Sequence, residues 1–352
     1  MNKTSKTVKE KKNIKFPIKH NEITNDTKKS FKSRVIVGAI LTCIVVPCAI
    51  LGGWFYLILV GAFVACATYE IASAPTKKFD WFCWLVVFLS MFTLIYWNVI
   101  RNNISSEPPY FDIKNFDPNI SFQGLFLSPY ALGVVIIAFF IVIIFKKEFE
   151  VSDACYLIAM TVLLAIGFQS ILTLRFLPFK QFVKTINGSV SYPTTPMFLY
   201  FQSFALLLYV LISVCFNDIG AYIVGVLFGK HKVNPRISPK KTWEGFVGGI
   251  VVSTILSSIF ALIIAHFNLP MLPKFTINHW YWIILCSLLL PIAGDIGDFA
   301  FSAIKRTFNK KDYSKVLGAH GGILDRIDSI LFASIVMIFL ATFIEQNWSL
   351  LG

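Results

Sequence analysis

Charge is scarce in this sequence. Of 352 residues only 14% are Asp, Glu, Lys or Arg, while 56% are hydrophobic. Soluble domains carry about 25% charged residues, so this composition excludes a water-soluble globular fold and implies an integral membrane protein. The apolar runs lack the in–out alternation of barrel strands and reach the ~20 residues of a helical span. Acid is scarcer than base, 19 residues against 32, which gives a net charge of +13. In a soluble chain that imbalance would suggest nucleic acid. In this one it points to anionic lipid headgroups and a polyphosphate, with no nucleic acid. The seven cysteines all lie in apolar runs, and none has zinc-ligand spacing, so they read as small buried hydrophobes. A P-loop is also missing. Gly225 to Lys230 has three residues between its glycines instead of four, and His231 stands where Ser or Thr is required. No small-residue cleavage site follows the basic N-terminus, and no strong internal repeat of the kind common in transporters is present.

The chain divides into three parts. Residues 1–34 are polar and Lys-rich, and are expected to form a disordered tail on the cytoplasmic side of a multi-pass protein of the cell membrane. Residues 35–196 carry the first set of apolar runs: 35–51, 54–72, 81–100, 130–145 and 154–177. Residues 197–352 carry 197–216, 246–266, 280–300 and 330–344, and hold the polar clusters described next. The base-rich loops then fall on one side, which gives an all-α architecture of about nine spans, with the N-terminus cytoplasmic and a polar cavity facing the cytoplasm. The stretch from Asp218 to Gly229 is too short to span, at ~18 Å of helix. It reads either as a short or broken helix or as the end of one long tilted helix running from Met197.

Three polar clusters interrupt the apolar pattern on the inferred cytoplasmic side. The first is Asp218, an acid within an apolar run, with Tyr222, Gly225 and Gly229 on the same helical face. The second is Ser238, Lys240, Lys241, Thr242 and Glu244, in a basic loop stiffened by Pro235 and Pro239. The third runs from Asp295 to Asp328. Asp298, Ser302 and Lys305 are spaced i, i+4, i+7, so one helix face presents an acid, a hydroxyl and a base, with Asp295 one turn earlier. Beyond a Lys-rich turn come His320, Gly321, Gly322, Asp325, Arg326 and Asp328. Magnesium takes oxygen ligands and commonly one or two carboxylates plus substrate phosphates. Asp218, Asp298, Asp325 and Asp328 offer such oxygens; Lys and Arg suit phosphate. Gly321-Gly322 allow backbone N–H groups to approach an anion closely.

The third cluster resembles the signature of the phosphatidate cytidylyltransferase (CDP-diacylglycerol synthase) family. The resemblance lies in Ser302-Ala303-Ile304-Lys305-Arg306, Lys311-Asp312, and His320-Gly321-Gly322-Ile323-Leu324-Asp325-Arg326-Ile327-Asp328. Ser238 to Gly245, and Asp218 with Ala221, Tyr222 and Gly225, resemble further blocks of the family. The likeness covers the C-terminal 140 or so residues. Two positions depart from it: Phe301 stands where many members have an acid, with Asp295 a candidate substitute, and Gly318-Ala319 stands where Pro-Gly is common.

The resemblance implies transfer of the cytidylyl group of CTP to phosphatidate, giving CDP-diacylglycerol and pyrophosphate in phospholipid synthesis. It implies Asp298, Lys305, Arg306, His320 and Asp325 as catalytic residues. Ser238, Lys240, Lys241, Ser302, Gly321, Gly322 and Arg326 would bind substrate, and Asp218, Asp298 and Asp328 would hold magnesium. Asp325 and Asp328 either bind a second cation or orient the bases. The expected partners are CTP, phosphatidate and the surrounding lipid; a homodimer is one assembly the sequence allows. Two other readings of the residues stay open: a CTP-dependent lipid kinase of the dolichol or phytol type, and a transporter of an anionic metabolite.

Overall fold

The computed structural model describes residues 25–75, 77, 79–105, 128–181, 184–186, 189–191, 196–269, 271–272, 274–318 and 321–345. Among them are nine α-helices: α1 (Asn25–Leu51), α2 (Gly53–Ser73), α3 (Trp81–Ser105), α4 (Pro129–Phe145), α5 (Val151–Gln181), α6 (Pro196–Phe228), α7 (Trp243–His266), α8 (Trp280–Thr307) and α9 (Leu324–Glu345). Two small antiparallel hairpins accompany them, β1 (Lys184–Ile186) with β2 (Ser189–Ser191), and β3 (Lys232–Asn234) with β4 (Ser238–Thr242). Six of the helices, α2 and α5 to α9, are long and apolar enough to cross a membrane. Shorter apolar stretches lie in α1, α3 and α4, at Gly38–Leu51, Trp81–Ile95 and Pro129–Phe145. The protein is therefore an all-α integral membrane protein. Large apolar side chains such as Ile223, Val247, Val251 and Ile255 are exposed on the outer side of α6 and α7, as a hydrocarbon solvent permits.

Three boundaries differ from those read off the sequence, each for a physical reason. First, α1 begins at Asn25, inside the stretch expected to be tail; the apolar span simply continues N-terminally as helix. Second, of the two readings of residues 218–229 the short helix fails and the long one holds, because α6 is a single helix of 33 residues. At 1.5 Å per residue it is about 50 Å long, more than the ~30 Å hydrocarbon core. The glycines that suggest a break are instead places where α7 comes close. A Cβ on Gly220 would lie 2.9 Å from Val252 Cβ, and one on Gly225 would lie 3.2 Å from Thr242 Oγ1. Third, α9 begins at Leu324 rather than near Ile330. Asp325, Arg326 and Asp328 thus ride on the first turns of a spanning helix, where acids are favoured by the unpaired N–H groups and the helix dipole.

The seam between α6 and α7 is built from small residues, the usual means of bringing helix backbones together in lipid. Gly245 sits against the Ala221 carbonyl, Gly248 against Val224, and Gly249 against Asn217. Ser253 donates to the Ser213 carbonyl at 2.7 Å and lies 3.1 Å from its hydroxyl. Elsewhere Gly52, at φ +64°, makes the tight turn between α1 and α2. The fully buried Arg175 of α5 closes that turn by donating to the Ala49 and Ile50 carbonyls at 2.8 and 3.1 Å.

The opposite end of the bundle gathers the C-terminal ends of α2, α4, α6 and α8 and the N-terminal ends of α5, α7 and α9. Lys310, just past α8, donates to the Ser73 carbonyl at the end of α2 at 2.6 Å. Tyr156 near the start of α5 donates to the Ile71 carbonyl at 3.2 Å and meets the Phe308 ring edge-on at 4.8 Å. Lys77 after α2 pairs with Glu150 and Asp153, both at 3.0 Å, and Lys146 pairs with Asp80. At the opposite end, Lys274 donates to the Ile344 carbonyl at 2.6 Å and covers the C-terminal end of α9.

The α6–α7 seam gives a paired prediction. In Gly249→Ala the new Cβ would meet the Asn217 carbonyl and Oδ1, both at 2.7 Å. That substitution should cost about 1–3 kcal/mol of stability. Gly133→Ala on α4 meets nothing within 4 Å and should be neutral or slightly stabilising. Thermal unfolding midpoints of the two variants in the same detergent compare the effects directly.

Candidate active site

The polar residues left at this end of the bundle come from four elements. α6 brings Asn217 and Asp218, β4 brings Lys241, α8 brings Asp295, Asp298, Ser302 and Lys305, and α9 brings Asp325, Arg326 and Asp328. Lys241 is the joint between them. The β3–β4 hairpin leaves Lys240 exposed and turns Lys241 inward. Its Nζ lies 3.0 Å from Asp295 Oδ1 and 2.7 Å from Asp298 Oδ2, and 4.5 Å from the centre of the Phe299 ring. Burial opposes the Lys241 charge, but Asp298 and Asp295 together outweigh it and hold the ammonium pKa above its ordinary value.

Each acid has further donors. Asp295, only 3% exposed, also accepts from Asn217 Nδ2 at 3.0 Å. Asp298 accepts from Ser302 Oγ at 3.2 Å. Asp218 is exposed, and lies within electrostatic reach of Lys241, Asp298, Asp295 and Arg326. Asp328 is buried, accepts from the Ser329 N–H at 2.8 Å, and lies within reach of Asp298, Lys305 and Asp325. Gly297 makes this possible: a Cβ there would lie 2.7 Å from the Asp328 carbonyl, so only glycine lets α8 and α9 approach so closely.

A second ion pair is deeper. Lys305 Nζ donates to Asp325 Oδ1 at 2.7 Å, with side-chain exposures of 10% and 5%. The other oxygen of Asp325 accepts the N–H groups of Tyr313 at 3.0 Å and Gly322 at 2.9 Å. One charged donor and two backbone donors thus serve this carboxylate, the condition for keeping a buried charge. The Tyr313 hydroxyl, whose pKa burial raises, donates to the Phe301 carbonyl at 3.3 Å.

The structure brings together Asp218, Lys241, Asp298, Ser302, Lys305, Asp325, Arg326 and Asp328. Arg306 is turned the other way: it is exposed and donates to the Ile237 and Lys310 carbonyls at 3.3 and 3.1 Å, tying α8 to the basic hairpin. Ser238 and Lys240 lie on that hairpin at the rim. The Gly321 N–H donates to the Gly318 carbonyl at 3.3 Å and the Gly322 N–H to Asp325. The anion that Gly322 meets is thus internal, where the sequence suggested a substrate phosphate. His320 lies outside the described residues. Phe301 is fully buried against Tyr313 and Phe332, so its position belongs to the core, while Asp295 one turn and a half earlier shares the cluster with Asp298. Among the described residues, no three His, Cys, Asp or Glu side chains converge as a preformed metal cage.

Two participants were not apparent from the motifs. Asn217 precedes Asp218 and is buried against Asp295. Glu70 of α2 is wholly buried and accepts from the Ile323 and Leu324 N–H groups, each at 2.8 Å. A lone acid in the apolar run from Trp54 to Ala72 was the available signal for Glu70.

A helical bundle whose polar end pairs carboxylates with lysines, beside an exposed basic hairpin, is a class of site whose charges can meet those of phosphate groups. The Cytidylyltransferase family profile matches residues 32–344, and the chain belongs to that family. It is 42% identical over 132 residues to a phosphatidate cytidylyltransferase of Bacillus subtilis, covering 38% of this chain and 45% of that protein. It is 36% identical over 187 residues to one of Staphylococcus haemolyticus, covering 53% and 58%. For one of Staphylococcus aureus the figures are 32% over 203 residues, 57% and 64%. The matched stretches thus span about half to two thirds of the length of these relatives.

The Lys241 joint predicts a non-additive pair of variants. Lys241→Met leaves the buried Asp295 without its cation and should cost about 3 kcal/mol of stability. Lys241→Met with Asp295→Asn should recover most of that loss, which thermal unfolding of the four proteins in a double-mutant cycle would reveal. Because the folded Lys241 pKa lies above its ordinary value, its contribution is fully present below that ordinary value, near 10.4. It should be lost only as pH rises through the folded value, so the wild-type unfolding midpoint should show no Lys241-dependent fall between pH 6 and 9.

Proposed function

We propose that this chain transfers the cytidylyl group of CTP to phosphatidate, yielding CDP-diacylglycerol and pyrophosphate. Support comes from the family assignment, from relatives that carry the name phosphatidate cytidylyltransferase, and above all from one feature of the site. Five carboxylates (Asp218, Asp295, Asp298, Asp325 and Asp328) lie within electrostatic reach of one another and outnumber the three bases among them (Lys241, Lys305 and Arg326). An all-oxygen donor set with that surplus suits a hard divalent cation of the magnesium class. Asp218, Asp298 and Asp328 would hold it, and Asp325 with Asp328 would bind a second cation or orient the bases. When bound, the ion would offset charge on the triphosphate and the leaving pyrophosphate.

In the reaction, a phosphate oxygen of phosphatidate forms a bond to the α-phosphorus of CTP. The bond from that phosphorus to the oxygen bridging to the β-phosphate breaks, and pyrophosphate leaves with the electron pair. The nucleophile is already an anion, so no general base is required. Lys241 and Lys305 are held in position by their acids, and each ammonium has three N–H donors to divide between carboxylate and phosphate oxygens. Lys240, Arg306 and Arg326 present exposed positive charge at the rim, where a polyphosphate would be drawn in. Ser238, Ser302 and His320 are the remaining hydrogen-bonding groups of the proposed substrate site. We read α1, α3 and α4 as spans as well, giving nine crossings with the N-terminus and the site on the cytoplasmic side, where CTP is available.

Purified protein given CTP, phosphatidate and magnesium should release pyrophosphate and form a CDP-lipid, and omission of the metal should stop it. Asp298→Asn should lower kcat by at least about a hundredfold with an unfolding midpoint near that of wild type. Lys240→Ala should raise KM for CTP severalfold and leave kcat nearly unchanged. Near-normal turnover in Asp298→Asn would remove this residue from the mechanism.

A further inference from the structure

The motifs of the C-terminal half leave one buried charge unused. Glu70 lies in the last turn of α2, 0% exposed, far in sequence from every residue of the site. A carboxylate taken out of water must be almost fully hydrogen-bonded to persist. Oε1 accepts from Ser314 Oγ at 2.6 Å and from the Ile323 N–H at 2.8 Å, and Oε2 accepts from the Leu324 N–H at 2.8 Å. Ile323 and Leu324 open α9, where unpaired N–H groups and the positive end of the helix dipole await a counter-charge. The preceding N–H, of Gly322, is taken by Asp325 at 2.9 Å. Three successive amides at the head of α9 are therefore shared between two carboxylates, one from α9 itself and one from α2.

The glycine pair shows the same contact from the other side. A Cβ on Gly322 would lie 2.5 Å from Glu70 Oε1 and 2.7 Å from both Cδ and Oε2. The space a side chain would need is filled by the Glu70 carboxyl group, which accounts for glycine at position 322 without any ligand. Ser314 brings the preceding loop to the same carboxylate, and Lys310 holds that loop to the Ser73 carbonyl at 2.6 Å. The end of α2 thus grips the connection between α8 and α9 at two points. Asp325, which fixes Lys305, is the next residue of α9 after this grip, and about one turn on Asp328 faces Asp298.

We infer that Glu70 is a positioning residue for cytidylyl transfer: from α2 it sets the axial position and rotation of the head of α9, and so aims Asp325, Lys305 and Asp328 at the reacting phosphates. It touches no substrate itself. The inference rests on the function proposed above. Misplacement by about 1 Å costs roughly tenfold to hundredfold in rate.

The test uses the full chain in detergent with lipid, comparing wild type, Glu70→Gln, Glu70→Asp and Ser314→Ala. Glu70→Gln keeps the shape but replaces one acceptor by a donor. Its kcat, per folded molecule, should fall at least about tenfold while KM for CTP changes by less than about threefold. Backbone hydrogen exchange over residues 322–328 should speed up. Ser314→Ala, which spares both amide bonds, should stay within about threefold of wild type. Glu70→Asp keeps the charge but withdraws it by one methylene, and should lose at least about threefold in kcat; it carries the test if Glu70→Gln does not fold. Gly322→Ala should be severely impaired alone, and less so when combined with Glu70→Ala. A kcat within twofold of wild type in Glu70→Gln or, failing that, in Glu70→Asp overturns the inference. If wild type itself forms no CDP-lipid, the proposed function fails. The exchange measurement then decides the grip on α9 alone, and unchanged exchange at 322–328 overturns it too.

Discussion

Lys241 lies between two carboxylates of α8, and the polar end of the bundle depends on that placement. Asp295 is buried, and an ionised buried acid persists only with a cation or several donors beside it. Lys241 and Asn217 supply these from β4 and α6. The same ammonium reaches Asp298, so one side chain from a surface hairpin settles the positions of two acids on a spanning helix. Were Lys241 elsewhere, the two acids of α8 would keep their donors from Asn217 and Ser302 but would lose the cation that lies between them.

A second pairing repeats the logic one layer further along. Lys305 and Asp325 neutralise each other between α8 and α9, and Asp325 also accepts two backbone N–H groups. Glu70 adds a clamp from α2. The N-terminal helices are therefore more than a membrane anchor for the C-terminal half. Through Glu70, the Ser73 carbonyl and the Tyr156–Phe308 contact, they hold the parts of α8 and α9 from which the acids project. Dispersal of the site over distant segments is what such a device requires, since a single helix cannot surround its own carboxylates.

Much of this was legible in the sequence, and the losses have specific causes. Runs of apolar residues mark the helices well, because a span must satisfy its backbone internally and cover itself with apolar side chains. The pairing of Asp298 with Ser302 follows from i, i+4 spacing alone. Glycines were harder: Gly220 and Gly225 look like breaks in one dimension, and only the fold reveals that α7 occupies the space beside them. The charged start of α9 looks like loop, since its acids are stabilised by amides of a helix head that the sequence does not display. Gly321-Gly322 suggested an open anion nest, but the carboxylates of Asp325 and Glu70 crowd that turn. Glu70 stands as a lone acid in an apolar run, outside every motif. Its partners lie about 250 residues away, and no local pattern connects them.

The proposed reaction moves a cytidylyl group and not a terminal phosphate. Purified protein should be given phosphatidate and magnesium with CTP labelled at either the α- or the γ-phosphorus, and the lipid fraction counted. Label should enter the lipid from the α-position alone, with γ-label recovered as pyrophosphate. Lipid labelled from the γ-position, or from neither, would contradict the account.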